Sequence, residues 1–408
     1  MEFVPYDKFK DIEFIAEGGF SKIYKATWID GPVINYSNTR DIRQKNYTVV
    51  FKKLNNSNNI TSKELNELKI FYELSSKYKY TDNVANYFGI TQDPNSQDIM
   101  IIMPYYDSGD LINYIIKDFY NTSWNRKLNT LVEIARRLLQ IHELNVVHRD
   151  FHSGNIFFHS INQYLTYSIP FVNSVTIGDL GISKSAIESG DDNNENYGII
   201  PYMALEVLQG RKYTRASDIY SFGMIMWELM TGRRPFWDQN HDTELIIEIC
   251  DGLRPPIVTN APEGYIKLME ECWHSDPDKR PQITDIEIRI YTISSKEFLL
   301  KYPTEIIESS DIGPVPKNNP GAIYKSRPLS AMINSAMSLR SSRSQPINLE
   351  KVKRKFEDDL IKDNDDGRSV KRNKLYEDED YPTKEIELDI DTNYNNNEYI
   401  TTEIDFDI

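Results

Sequence analysis

The run Ser217-Asp218-Ile219-Tyr220-Ser221-Phe222-Gly223-Met224-Ile225-Met226-Trp227-Glu228-Leu229 is apolar nearly all round. A surface helix shows one apolar stripe, whereas a helix without a polar face has to be wrapped on every side. This stretch therefore belongs in the middle of a domain large enough to surround it. Upstream, Leu128, Leu131, Ala135, Leu138 and His142 recur at steps of three and four, which predicts a long amphipathic helix. The first hundred residues read differently. Residues 9–28 suggest two strands joined by a tight glycine turn, and residues 47–54 have the β-branched and aromatic content of a strand. Residues 84–90 and 99–103 read as two more, with Asp93-Pro94-Asn95-Ser96 as the turn between them. Residues 31–46 are polar and poorly periodic and read as a loop insertion.

Two motifs carry chemistry. Val147-His148-Arg149-Asp150-Phe151-His152-Ser153-Gly154-Asn155 fits H-R-D-x-x-x-x-N, and Gly178-Asp179-Leu180-Gly181 is a near match to D-F-G. Together they resemble the catalytic core of the eukaryotic protein kinases. The apolar helix, with Gly232-Arg233-Arg234-Pro235-Phe236 and Glu271-Cys272-Trp273, looks like the tyrosine-kinase-like group. The resemblance implies an α+β, bilobal protein-kinase-like fold: a small β-rich lobe over a larger helical one, with ATP in the cleft. It implies that Asp150 receives the proton of an incoming hydroxyl, and that Asn155 and Asp179 hold Mg²⁺. His148 is expected to be a packed core histidine, and Asp218 to cap its helix and hold the catalytic-loop backbone.

The nucleotide cradle follows from the same resemblance. Ile15-Ala16-Glu17-Gly18-Gly19-Phe20-Ser21-Lys22-Ile23 lies where a kinase carries its glycine-rich loop, in which small residues let backbone N–H groups approach phosphates. Only the middle glycine, Gly18, is kept; Ala16 and Ser21 replace the others. Lys52 takes the position of the phosphate-binding strand lysine, with Lys53 as its competitor; strand phase favours Lys52, which shares a face with Val50. Glu67 is the helix glutamate expected to hold that lysine, with Glu64 one turn earlier as the alternative. Met103 is expected to line the back of the adenine pocket. Residues 201–206 resemble the stretch that ends in A-P-E, with Leu205 in place of proline, and Glu206 is expected to pair with a buried Arg280.

The acceptor type stays open in the residues. Serine/threonine kinases usually have a lysine where His152 stands and a threonine where Ile199 stands, and His152 does not match tyrosine kinases either. Ser183, Ser185, Ser189 and Tyr197 could carry phosphate that orders residues 182–200 against Arg149.

The expected organisation is a short N-terminal extension over residues 1–9, a kinase domain over 10–295 and a low-complexity, disordered tail over 296–408. The tail is dominated by serine, asparagine, proline and charge. Its serines from Ser326 to Ser344 lie among arginines and are candidate phosphosites. From Tyr376 onward it carries twelve acidic residues against one lysine, Lys384. That concentration accounts for most of the net charge of −15, which argues against general nucleic-acid binding. The basic clusters at 351–355 and 371–374 fit either a two-part nuclear import signal or a solvated polyampholyte. Two cysteines without metal-ligand spacing suggest a reducing compartment, so the cytoplasm is the expected place, with the nucleus open. No apolar run is long enough to span a membrane. The expected activity is transfer of the ATP γ-phosphoryl to protein hydroxyls. A pseudokinase scaffold, for which Ala16, Ser21 and Leu205 speak, is the alternative, and a nuclear adaptor acting through the tail excludes neither.

Overall fold

The computed structural model describes residues 2–17, 21–36, 41–55, 57, 69–70, 72–74, 76–77, 87–159, 174–180, 184–185 and 196–343. The N-terminal part is built on strands β1 (Glu2–Phe3), β2 (Phe9–Glu17), β3 (Ser21–Trp28), β4 (Val33–Tyr36), β5 (Asp41–Arg43), β6 (Tyr47–Leu54), β7 (Gly89–Gln92) and β8 (Ile99–Pro104). Six of these form one sheet in the order β1-β7-β8-β6-β3-β2. Residues 2–3, read from the sequence as part of an extension, pair in parallel with β7 as β1. They pass so close that a Cβ on Gly89 would stand 1.9 Å from the Glu2 carbonyl oxygen, so only glycine fits there. The stretch expected to be a plain loop contains the β4–β5 hairpin. Its order comes from backbone pairing, which a polar sequence does not advertise.

Strand alternation divides the sheet into two faces. Val49, Phe51, Met100 and Ile102 join Val4, Phe9, Ala26 and Trp28 in a dry cluster on one face. Each such side chain contributes about 2 kcal/mol of burial. Lys52 stands opposite Ile23 and Ile101, on the other face, and is only 7% exposed.

The C-terminal part carries helices α1 (Leu111–Lys117), α2 (Trp124–Glu143), α3 (Leu205–Leu208), α4 (Arg215–Thr231), α5 (Thr243–Cys250), α6 (Tyr265–Cys272), α7 (Ile283–Leu299) and α8 (Ser330–Arg343). Asp110 caps α1, accepting from the Asn113 N–H at 2.9 Å. As its composition requires, α4 is buried continuously from Ser217 to Thr231. A Cβ on Gly223 would meet Cys272 Cβ at 3.0 Å, so the missing side chain lets α6 lie close against α4. The cap of α4 corrects one expectation: Thr214 is the N-cap, its N–H donating to Ser217 Oγ at 3.1 Å, and Asp218 is free for other partners. Short strands also occur here: β9 (Val146–Val147) pairs with β12 (Lys184–Ser185), and β10 (Ile156–His159) with β11 (Ser174–Ile177).

The expectation of a disordered tail from residue 296 needs correction over residues 296–343. After α7 the Glu297 carboxylate accepts from the Thr304 N–H at 2.6 Å and hydroxyl at 2.9 Å, turning the chain back. The segment then runs over the helical part. The Tyr120 hydroxyl donates to Ile312 O, the Gly313 N–H to Thr231 O and the His241 N–H to Gly321 O. Ile312, Leu329, Ile333 and Ala336 sink into the main core. A final antiparallel pair joins β13 (Tyr197–Gly198) to β14 (Arg327–Pro328). These few apolar anchors are scattered among polar residues, so no periodicity announces them.

Candidate active site

The loop between β9 and β10 is held from below by Asp218. This carboxylate is 1% exposed. Its Oδ2 accepts from the His148 N–H at 2.8 Å and lies 2.8 Å from His142 Nε2, while Oδ1 accepts from the Arg149 N–H at 3.0 Å. These bonds offset local strain, because Arg149 sits at φ 74°, a region costly for a residue with a Cβ. His148 is fully buried, with Nε2 3.1 Å from Gly178 O and Nδ1 accepting from the Asp150 N–H at 3.3 Å. Burial pushes its pKa below the ordinary value despite the nearby Asp218 and Asp150. A neutral histidine that ties the loop to the turn before Asp179 is the packed core residue expected.

Asp150 projects from this loop and is 6% exposed. Its backbone oxygen accepts from Asn155 Nδ2 at 2.9 Å, which fixes the plane of the Asn155 amide. His152 Nδ1 accepts from the Gly154 N–H at 3.1 Å, so the network places the ring proton on Nε2. That Nε2 lies 3.6 Å from Asp150 Oδ1. Asp150 Oδ2 accepts a hydrogen bond of 2.6 Å from the hydroxyl of Ser326.

Asp179 faces the loop from the end of β11 at φ 56° and bonds Lys52 Nζ through Oδ1 at 2.7 Å. This contact joins the sheet to the helical part across the cleft. Burial among the surrounding groups would raise the Asp179 pKa, but the Lys52 ammonium, by charge and hydrogen bond, holds it below the usual range. Half of the carboxylate side chain still faces solvent. Leu180, next along, is fully buried as the apolar plug its position needs. The competitor Lys53 is occupied elsewhere, 2.5 Å from Asp93 Oδ2 and 3.5 Å from Asp98 Oδ2.

Of the loop residues, Ile15, Ala16 and Glu17 end β2, and Ser21, Lys22 and Ile23 begin β3, with Ala16 opposite Ile23 and Glu17 opposite Lys22. Gly18, Gly19 and Phe20 lie outside the described residues, as do Glu67 and Glu64. Ile70 and Leu74, just C-terminal to Glu67, are buried in the cluster that contains Leu180. Met103 stands opposite Val50 and packs partly buried against Leu54 and Ile101, on the Lys52 face. Ser183 and Ser189 also fall outside the described residues, whereas Tyr197 is buried in β13.

Two structural supports complete the site. Arg280 clasps Glu206 through two bonds of 2.7 Å, with both side chains almost wholly buried. The second was not read from the sequence. Glu228 of α4 accepts from Tyr202 at 2.6 Å and from Ser153 of the loop between β9 and β10 at 3.0 Å. Burial raises its pKa to about 7, against the lowering effect of those bonds. A carboxylate near the far end of an almost wholly apolar run was the available signal.

A family model described as "Protein tyrosine and serine/threonine kinase" matches residues 9–290. Among curated proteins, the chain is 27% identical over 298 residues to the probable serine/threonine-protein kinase pats1 of Dictyostelium discoideum, covering 72% of this chain and 9% of that protein. It is 31% identical over 205 residues to the probable serine/threonine-protein kinase roco5 of the same organism, covering 48% of this chain and 7% of that protein. It is also 29% identical over 244 residues to the putative serine/threonine-protein kinase/receptor R818 of Acanthamoeba polyphaga mimivirus, covering 59% of this chain and 14% of that protein. The chain thus spans a small fraction of each of these relatives.

Proposed function

The chain belongs to the protein tyrosine and serine/threonine kinase family, and from that premise we propose that it transfers the γ-phosphoryl group of ATP to serine or threonine hydroxyls of proteins. The observation that carries this reading is the 2.7 Å contact between Lys52 and Asp179. A buried cation on the sheet and a carboxylate at the cleft floor are the groups a polyphosphate needs on its two sides. Asp150 orients the acceptor hydroxyl and takes its proton. Lys52 binds phosphate oxygens as a point charge. Asn155 and Asp179 offer hard oxygen donors of the kind Mg²⁺ takes, and would hold it. When bound, the ion screens the phosphate charge. His152 aims its Nε2 proton at the same space, where it can donate to a phosphate oxygen. The bidentate Glu206–Arg280 pair fixes the segment under the acceptor. The names of the relatives support serine and threonine over tyrosine. The scaffold alternative is not favoured, since the substitutions at Ala16, Ser21 and Leu205 leave Asp150, Asn155, Asp179 and Lys52 in place.

The test is transfer of label from γ-labelled ATP to protein by the wild-type chain beside Asp150→Asn. Label in the wild type alone, recovered on serine or threonine, supports the reading; equal incorporation in both overturns it.

A further inference from the structure

The Ser326 hydroxyl occupies the place where an acceptor would stand. Its Oγ donates to Asp150 Oδ2 at 2.6 Å, within the reach a general base requires of the proton it takes. The same oxygen lies 3.4 Å from His152 Nε2. The chain around it is seated as a bound peptide would be. Arg327 and Pro328 add a strand to Tyr197 and Gly198, the end of the segment that leads to Glu206. The Leu329 N–H donates to Asn196 O at 2.7 Å, the Asn196 N–H donates to Ser330 Oγ at 2.7 Å, and the Leu329 side chain is 1% exposed. Strand addition of this kind supplies affinity through the main chain and register through alternate side chains. On the preceding flank the Tyr324 hydroxyl donates to Pro235 O at 2.9 Å, and within the added strand the Arg327 guanidinium donates to His241 O at 2.8 Å.

Resting on the kinase reading, we infer that Ser326 is an intramolecular phosphoacceptor, and that its segment fills the acceptor site until it is modified. The Ser326 Oγ–Pγ bond forms as the bond from Pγ to the β,γ-bridging oxygen of ATP breaks. ADP departs with that electron pair, and the hydroxyl proton passes to Asp150. Because the acceptor is already in place, the reaction is unimolecular in protein. The product carries between one and two negative charges at neutral pH, about 1.5 to 2. It stands beside the Asp150 carboxylate, so like-charge repulsion expels residues 326–330 and opens the site to other proteins.

The experiment uses the full chain, freed of phosphate by a phosphatase and then given Mg-ATP, with casein as a second acceptor. Phosphosite mapping is expected to find Ser326 modified at a rate constant that stays within twofold over a ~100-fold dilution of the protein. Amide exchange over residues 326–333 is expected to accelerate at least ~10-fold after the reaction, as the strand pairing is lost. Ser326→Ala keeps the slow exchange with or without ATP, and Ser326→Thr restores both modification and release. Casein labelled while Ser326 stays unmodified overturns this inference and leaves the kinase reading standing. A Ser326 rate that scales with protein concentration, or modification without faster exchange, also overturns it. No label on casein or on any residue of the chain brings down the kinase reading itself.

Discussion

Arg280 and Glu206 meet in a buried fork-to-fork pair, with Arg280 also donating through Nε to His274 O at 2.9 Å and through Nη1 to Ala216 O at 2.8 Å. Four of the five guanidinium N–H groups thus have acceptors, and the side chain ties the start of α3 to the N-terminus of α4. Removing one partner strands a charge in the core. Arg280→Met is expected to lower unfolding stability by about 3–5 kcal/mol, read from the shift in the guanidinium chloride transition. Pairing it with Glu206→Leu should recover most of the loss. A single variant as stable as the wild type would show that the pair is not buried in solution.

Asp150 and Lys52 should separate chemistry from binding. Asp150→Asn is expected to reduce kcat by roughly 10²–10⁴-fold, the usual worth of a positioned general base. ATP affinity, measured by titration calorimetry, should stay within about threefold, because the carboxylate faces the acceptor rather than the phosphates.

The two adjacent lysines give a sharper comparison. Lys52→Met should weaken or abolish transfer, since Lys52 faces the cleft and Asp179. Lys53→Met should leave transfer nearly intact and cost about 1–3 kcal/mol of stability, because it strips the cation from two mostly buried carboxylates, Asp93 and Asp98. Reversed effects in the transfer assay would mean that β6 is read in the wrong phase.

Glu228 introduces a pH dependence into the core. Its folded pKa, raised to about 7, lies above the ordinary carboxyl value of 4.5. The stabilising contribution of the protonated form is complete below about 4.5 and is lost as pH rises through about 7. Glu228→Gln should therefore change stability little at pH 5 and raise it by roughly 2–3 kcal/mol at pH 8. Urea unfolding at the two pH values checks this; an equal change at both would refute it.

Lys127 poses the opposite case. It is 1% exposed, its Nζ lies 3.8 Å from the centre of the Phe119 ring, and it has no hydrogen-bond partner among the described residues. Burial pulls its pKa from 10.5 to about 7. Stability present above about 10.5 is lost as pH falls towards 7, and the deficit is full below that. Lys127→Met should raise stability by roughly 2–4 kcal/mol at pH 6, with the gain shrinking as pH approaches 10. A thermal-melt series across that range would reveal a flat difference if the ammonium reaches water.

Much of this was legible because it rests on local rules. An apolar run of the length of α4 can only be central, and the phase of β6 separated Lys52 from Lys53 before any contact was known. The pairing of Glu206 with Arg280 was carried by the motifs at both ends. What stayed hidden depends on partners distant in the chain. The β4–β5 hairpin is held by backbone bonds, which polar side chains do not signal. Residues 310–340 need a preformed helical surface to receive Ile312, Leu329 and Ile333, so their own composition reads as disorder. Ser326 was one serine among several until the fold set it against Asp150.

The strand formed by Arg327 and Pro328 also has a protective consequence. A fragment ending at α7 would bare the peptide groups of Tyr197 and Gly198 and empty the sockets that Leu329 and Ile333 fill. Such an open edge beside apolar hollows invites neighbouring copies to pair there. The shortened protein is then expected to self-associate more readily than the longer one.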